Sequence, residues 1–126
     1  PVMAKANICP MVDQIEYHPG FTQKECVEFC KKNNILVEAW SPLGRGNVLD
    51  NPLLRSIAAN LGKSVAQVVI RWVMQTGVLP LAKSVTPSRI KENIDVFDFE
   101  LSQQEMFEIA SLKADRIGSD PDTCDF

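Results

Sequence analysis

The chain has 126 residues, of which 45% are hydrophobic and 23% charged, and its formal net charge is −3. This composition is typical of one globular domain, and the mild acidity argues against nucleic acid or an anionic membrane surface as the main partner. No apolar run reaches the ~18–20 residues that a membrane-spanning helix needs.

The first third of the chain predicts two strands around one helix. "MVDQIEY" (11–17) alternates apolar and polar residues and ends at a His-Pro-Gly breaker. Thr22, with Glu25 three residues later, predicts a capping box that starts a helix. The apolar stripe of that helix is Cys26, Val27, Phe29 and Cys30. "ILVEAW" (35–40) is short and rich in branched residues, which predicts a second strand.

The remainder predicts a third strand among four helices. Helices are expected over 52–60, with Pro52 in the first turn, and over 64–76, capped by Ser64. "VLPLA" (78–82) predicts a strand, although its proline weakens the signal. Thr86 is expected to cap a helix over 86–97, and Ser102 a helix over 103–113, with Glu105 completing a capping box. Residues 114–126 lack periodicity and are expected to form a loop.

Strands that alternate with helices predict βαβ units and a parallel sheet. The short apolar strands fit either a doubly wound sheet or a (β/α)8 barrel. The three units of this chain are fewer than the eight that a barrel needs.

The four cysteines do not have the spacing of a metal site. Cys26 and Cys30 are four residues apart in a helical pattern, which is neither a CxxC nor a zinc-ribbon spacing, and the chain has one histidine. We therefore expect reduced structural thiols in a cytoplasmic protein and no metal site.

The most informative polar segment is "LAKSVTPSRIKEN" (81–93), which crosses a predicted strand-to-helix junction. A helix N-terminus favours an anion, Lys83 precedes it, and Arg89 one turn later could grip a phosphate. Glu92 and Asn93 could recognise the edge of a purine. An ordinary capped helix, with Glu92 paired to Arg89, explains the same residues.

Two other strand ends carry weaker signals. "AWSPLGRG" (39–46) has a glycine loop that could approach a pyrophosphate, and Trp40 could stack on an aromatic ring; a core Trp40 and an ordinary turn are the alternative. Tyr17 and His18 point to opposite faces of a strand, so His18 is interpreted as structural. Neither GxGxxG nor GxxxxGK[ST] occurs.

These segments resemble, in order, the C-terminal part of the aldo-keto reductases, and most nearly the bacterial branch of diketogluconate reductase-like and morphine dehydrogenase-like proteins. The stretches that carry the resemblance are "QIEYHPGFTQ", "EAWSPLGRG", "SVAQVVIRWVMQTG", "AKSVTPSRIKENIDVFDFELS" and "RIGSDPDTCDF". The resemblance implies that residues 1–126 are the C-terminal portion of a (β/α)8 barrel, about strands 6 to 8, with 114–126 as its C-terminal loop.

The resemblance also implies an NADP(H) site. Gln14 would hydrogen-bond the nicotinamide carboxamide, Trp40 would stack on the nicotinamide ring, and Ser41, Leu43 and nearby backbone would hold the pyrophosphate. Asp13 stands where the family commonly has Asn, and its carboxylate would lie near the nicotinamide if it turned inward.

At the adenosine end, Lys83, Ser84 and Arg89 would bind the 2′-phosphate, with Thr86 beside them. Glu92 and Asn93 would read adenine. The resemblance further implies that the catalytic Tyr, Asp, Lys and His lie in the first half of the barrel, so this chain would carry no catalytic residue.

The expected parent is an NADPH-dependent reductase that converts an aldehyde or ketone to an alcohol, with a small carbonyl compound as substrate. Pro1 opens the chain without Met, and we expect a piece of a longer protein. The alternative is a truncated, non-catalytic half-barrel that binds nucleotide or self-associates through the open edge of its first strand.

Overall fold

The computed structural model describes residues 2–124 as a parallel three-stranded sheet with helices packed on one face. The strands are β1 (Val12–Glu16), β2 (Leu36–Trp40) and β3 (Leu79–Leu81), in the spatial order β1-β2-β3. The α-helices are α1 (Val2–Lys5), α2 (Lys24–Lys32), α3 (Pro52–Leu61), α4 (Val65–Gln75), α5 (Pro87–Ile94) and α6 (Gln103–Ala110). A kinked 3-10 segment spans Gly44–Asp50.

The two faces of the sheet differ in burial because side chains alternate along each strand. The face under the helices carries Val37 and Ala39, which are 2% and 0% exposed. On the opposite face, four large apolar side chains remain 42–47% exposed: Val12, Leu36, Leu79 and Leu81. Parallel sheets are normally covered on both faces. We therefore expect another part of a folded protein to pack on this open face.

Helix α4 forms the centre of the core, as its periodicity predicts. Ser64 and Gln67 make a reciprocal capping box at its start, and Trp72 is 1% exposed and stacks on Tyr17 with ring centroids 5.6 Å apart. Helix α3, capped by Asn51 and ended by Gly62, packs against α4. This packing places the carboxyl ends of the three strands at one edge of the molecule.

Three predicted helix boundaries are wrong, and one of them is the end of α6, which lies at Ala110 instead of residue 113. No Thr22–Glu25 capping box starts α2, which begins after Gln23 at φ 43°, because the Gln23 side chain donates instead to the Glu16 carbonyl at 2.6 Å. The predicted apolar stripe of α2 is also too wide, because Phe29 is 54% exposed.

Helix α5 ends at Ile94 instead of continuing to 97. The Gln67 Nε2 donates to the carbonyls of Glu92 and Asp95, at 3.3 and 2.8 Å, and the chain turns there to bury Val96. Among residues 2–124, no helix has the length and apolarity to cross a bilayer.

The tail after α6 is a loop, as expected, and it crosses the carboxyl end of β1. The Ala114 N–H donates to the Gly20 carbonyl at 3.2 Å, and Ile117 and Gly118 bond to Glu16. The last two residues of the predicted 114–126 loop lie outside the described residues.

Candidate functional site at the strand ends

The residues predicted to contact nicotinamide lie on the open face of the sheet. Gln14 is exposed on β1 and donates through Nε2 to Glu38 Oε2 at 3.2 Å, since the two residues are in register. Trp40, the last residue of β2, has the same orientation two residues beyond Glu38. The side chains of Gln14 and Trp40 therefore lie on the same open face of the sheet.

Trp40 is half-buried, with one edge against the tail and its face near a cation. The Arg45 guanidinium carbon lies 5.1 Å from its ring centroid, which is a cation–π distance. An ideal Cβ at Gly118 would lie 2.9 Å from Trp40 Cζ3, so only glycine permits this approach of the tail. Sequence reasoning missed Arg45, although an arginine between two glycines at a strand end is a visible signal.

The segment 41–46 forms two successive tight turns. The Gly44 N–H donates to the Ser41 carbonyl and the Gly46 N–H to the Leu43 carbonyl, each at 2.8 Å. Ser41 has φ 53° and Arg45 also has φ 53°, which is the left-handed region that non-glycine residues rarely adopt. This compact loop agrees with the tight glycine-containing loop expected from the sequence, and it fixes Ser41 and Leu43 beside Trp40.

Lys83 and Arg89 both lie exposed at the junction of β3 and α5. Neither makes a salt bridge with any residue of the 2–124 range; Glu92 in particular does not pair with Arg89, contrary to the capped-helix alternative. Ser84 Oγ accepts from the Thr86 N–H at 3.2 Å.

Thr86 occupies the N-cap position of α5, but its side chain makes no capping hydrogen bond. The first turn therefore has no N-cap side-chain acceptor for its N–H groups, and Lys83 and Arg89 add positive charge beside it.

Glu92 and Asn93 are half-buried one turn further along α5. Asn93 and Ser84 border a cavity of about 770 Å³ between β3 and α5, whose other walls are mostly apolar, including Ile90, Ile94 and Phe97. A phosphate needs donors and cations, so the polar junction suits an anion better than this apolar cavity does.

Glu16 is a buried carboxylate beside this site that was not predicted from the sequence. It is 6% exposed at the end of β1, and its carboxylate accepts from the N–H groups of Ile117 and Gly118, each at 2.7 Å, and from His18 Nε2 at 3.0 Å. Burial opposes ionisation, but these donors outweigh it and lower the pKa of Glu16 below its ordinary value. The charged carboxylate therefore ties the tail to the strand end.

The neighbours Tyr17 and His18 are both buried, at 4% and 2% exposure. His18 Nδ1 lies 3.2 Å from the Pro19 carbonyl while Nε2 contacts Glu16, which agrees with the structural interpretation of this histidine. Burial raises the pKa of Tyr17.

Asp13 does not turn toward the nicotinamide side. Because it alternates with Gln14 along β1, it points to α2, where its Oδ2 lies 3.7 Å from Cys26 Sγ and 3.5 Å from Cys30 Sγ. The inward orientation considered from the resemblance is therefore wrong.

Comparison with known proteins identifies one family model and several oxidoreductases that are similar to this chain. The sequence model of the aldo/keto reductase family matches residues 2–114. An uncharacterized oxidoreductase of Bacillus subtilis (strain 168), YtbE, is 48% identical over 126 residues, covering 99% of this chain and 45% of its own length. The glyoxal reductase of the same organism is 51% identical over 122 residues, covering 96% of this chain and 44% of its own.

A solved structure extends the similarity to the fold. The crystal structure of a Gox0644 mutant in complex with NADPH superposes with a TM-score of 0.94 at 42% identity, covering 99% of this chain and 47% of that one. The chain thus spans about half the length of the relatives it matches, and the prediction of a partial (β/α)8 barrel is confirmed. The chain belongs to the aldo/keto reductase family.

Proposed function

We propose that this chain is the NADP(H)-binding part of an aldo/keto reductase whose whole protein reduces aldehydes or ketones to alcohols. The observation that carries the proposal is the β3–α5 junction, where Lys83 and Arg89 are exposed without carboxylate partners in residues 2–124, beside a helix start without a side-chain cap. The similarity to a protein solved with NADPH supports this cofactor.

The junction suits a 2′-phosphate for electrostatic and geometric reasons. The Arg89 guanidinium can donate two parallel bonds to phosphate oxygens, and Lys83 adds a point charge. The Ser84 hydroxyl and the N–H groups of the first turn of α5, which no N-cap side chain caps, offer further donors at the same helix start. Glu92 and Asn93, one turn further, would hydrogen-bond adenine. An NAD(H) ribose lacks the phosphate, so these charges would favour NADP(H).

At the other end, the open face would hold the nicotinamide. When bound, the cofactor supplies the hydride that reduces the carbonyl carbon. Gln14 would exchange its bond to Glu38 for the carboxamide, and Trp40 would stack on the ring, with Ser41, Leu43 and the loop backbone beside the pyrophosphate. Arg45, which shares this loop, would leave the Trp40 ring and turn toward the pyrophosphate charge.

The proton that completes the reduction would come from the part of the barrel outside this chain. Tyr17 is buried against Trp72 and faces the helices, while His18 is held by Glu16 and Pro19, so neither presents a proton to the open face. We therefore expect the chain alone to bind cofactor without turnover.

The similarity to a glyoxal reductase favours small aldehydes as the substrates of the whole protein. The free thiols of this chain fit the reducing environment of the cytoplasm.

Cofactor titration with tryptophan fluorescence tests the proposal. Trp40 and Trp72 are the two tryptophans of the chain, and Trp72 is buried in the core, so Trp40→Phe removes the signal from the site. NADPH should quench the wild-type signal at lower concentration than NADH.

Arg89→Ala should weaken NADPH binding by about 10- to 150-fold, which corresponds to the ~1.5–3 kcal/mol of a charge-assisted bond. NADH binding should be unchanged. Lys91→Ala, on the same helix and also exposed, is the matched control and should bind as wild type. Equal affinity of the wild-type chain for both cofactors would refute the assignment of Lys83 and Arg89.

The second candidate, a self-associating half-barrel, is favoured by the open face of the sheet. Val12, Leu36, Leu79 and Leu81 expose nearly half of their surface there, and the outer edges of β1 and β3 have no strand partner in residues 2–124. Light scattering distinguishes the outcomes: pairing through this face predicts a concentration-dependent dimer that Leu36→Lys disrupts, whereas a strict monomer excludes it.

A further inference from the structure

Three potential metal ligands converge on the helix-facing side of the sheet: Asp13, Cys26 and Cys30. The ligand atoms of these residues all lie within 4.8 Å of one another. Asp13 comes from β1, whereas Cys26 and Cys30 occupy adjacent turns of α2, four residues apart, and so face the same way. The group is on the opposite face of the sheet from Gln14 and Trp40.

No cationic side chain among residues 2–124 forms an ion pair with the Asp13 carboxylate. The carboxylate is half-buried, and within residues 2–124 no Lys, Arg or His lies within 4.0 Å of it. Its side-chain hydrogen-bond partners there are the two thiols, which are weak donors. A half-buried anion in this setting is stabilised by a bound cation.

Both sulfurs contact the same carboxylate oxygen, Asp13 Oδ2, to which the two thiols donate. A metal ion would replace the two protons and convert two weak donors into thiolate ligands.

The distances match those of a tetrahedral site. Zinc binds thiolate sulfur at ~2.3 Å and carboxylate oxygen at ~2.0–2.2 Å, so tetrahedral angles require a sulfur–oxygen separation of roughly 3.5–3.7 Å. The observed separations from Asp13 Oδ2 are 3.5 Å to Cys30 Sγ and 3.7 Å to Cys26 Sγ. The two sulfur–oxygen separations thus already match two edges of a coordination tetrahedron, and the two sulfurs lie within 4.8 Å of each other, with the fourth vertex left to water.

We propose that Asp13, Cys26 and Cys30 bind one soft divalent cation, Zn²⁺ or Cd²⁺, which links α2 to the edge strand β1. The cysteine spacing alone argued against a metal site, because the third ligand comes from a different element and no linear motif contains it. Asp13 is essential to the proposal, since an Asn side chain brings neither the charge nor the same affinity.

The test is a Cd²⁺ titration of the reduced, chelator-treated chain, followed by the ultraviolet thiolate-to-metal charge-transfer band, with Zn²⁺ measured by competition against a chromophoric chelator. The background variant is Cys9→Ser with Cys124→Ser, which removes the other two thiols. This variant should bind one equivalent and unfold at a higher temperature with Zn²⁺ than without it.

In that background, Asp13→Asn should weaken binding at least about tenfold and remove most of the thermal shift, while Cys26→Ser should abolish the charge-transfer band. Asp13→Asn keeps the shape of the side chain, so its result is interpretable even if Cys26→Ser folds poorly. The proposal is overturned if binding disappears with Cys9 and Cys124, or if Asp13→Asn binds Zn²⁺ as tightly as its parent. Neither result depends on cofactor binding.

Discussion

The anchoring of the tail by Glu16 can be tested by Glu16→Gln. The wild-type carboxylate accepts three hydrogen bonds: Oε1 from His18 and Ile117, and Oε2 from Gly118. The amide keeps one oxygen and replaces the other with a donor. In the better of its two orientations it retains the bonds of Oε1, and its NH₂ group then faces the Gly118 N–H.

The loss of the Gly118 hydrogen bond sets the expected change in the free energy of tail opening. One charge-assisted bond contributes roughly 1.5–3 kcal/mol, and the retained bonds lose their charge assistance. Since ~1.4 kcal/mol is tenfold in an equilibrium constant, the tail should open about 10- to 150-fold more often.

Amide hydrogen exchange measures this opening directly. The Ile117 and Gly118 amides should exchange faster by that factor in Glu16→Gln, while amides in the centre of α4 should keep their wild-type rates. Glu38→Gln is the matched control, because Glu38 lies on the same face and contacts only the Gln14 side chain among the described hydrogen bonds. Unchanged exchange at Gly118 in Glu16→Gln would refute the anchoring role.

Three further predictions concern the same region and the core. Because the pKa of Glu16 is lowered on folding, its stabilisation is complete above the ordinary value of 4.5 and is lost as the pH falls through the folded value; the protection factors of the tail amides, which are corrected for the intrinsic pH dependence of exchange, should fall at acid pH in wild type and should not depend on pH in this way in Glu16→Gln. Gly118→Ala should shift Trp40 emission and cost about 1–3 kcal/mol in urea unfolding, since its Cβ would lie 2.9 Å from both Glu16 Oε2 and Trp40 Cζ3. Leu54→Ala should lower the unfolding free energy by about 2–5 kcal/mol, because this side chain is 0% exposed.

The sequence predicts well those features that depend on neighbours along the chain. The positions of β2 and α4 follow from a branched apolar run and from the Ser64 cap with its apolar periodicity. The proposed phosphate site is also local, because Lys83 to Asn93 form one continuous segment at a helix start. Such features are set by the period of the pattern and by caps.

Contacts between segments that are distant in the sequence cannot be predicted from local patterns. The bond from Ile117 to Glu16 spans 101 residues, and no local pattern indicates it. The capping pattern at Thr22 is present in the sequence, yet the Gln23 contact with β1 overrides it. The orientation of Asp13 was predictable, because strict alternation with an inward Gln14 places it under α2.

The central claim is that the β3–α5 junction recognises a 2′-phosphate, and a titration with two adenosine nucleotides tests it most directly. Adenosine 2′,5′-bisphosphate carries that phosphate, whereas adenosine 5′-monophosphate does not, and neither needs the nicotinamide end of the site. The account predicts that the bisphosphate binds more tightly, at least about tenfold, and shifts the NMR signals of Ser84, Thr86 and Arg89. Equal binding of the two nucleotides, or bisphosphate binding that leaves those signals unmoved, would contradict it.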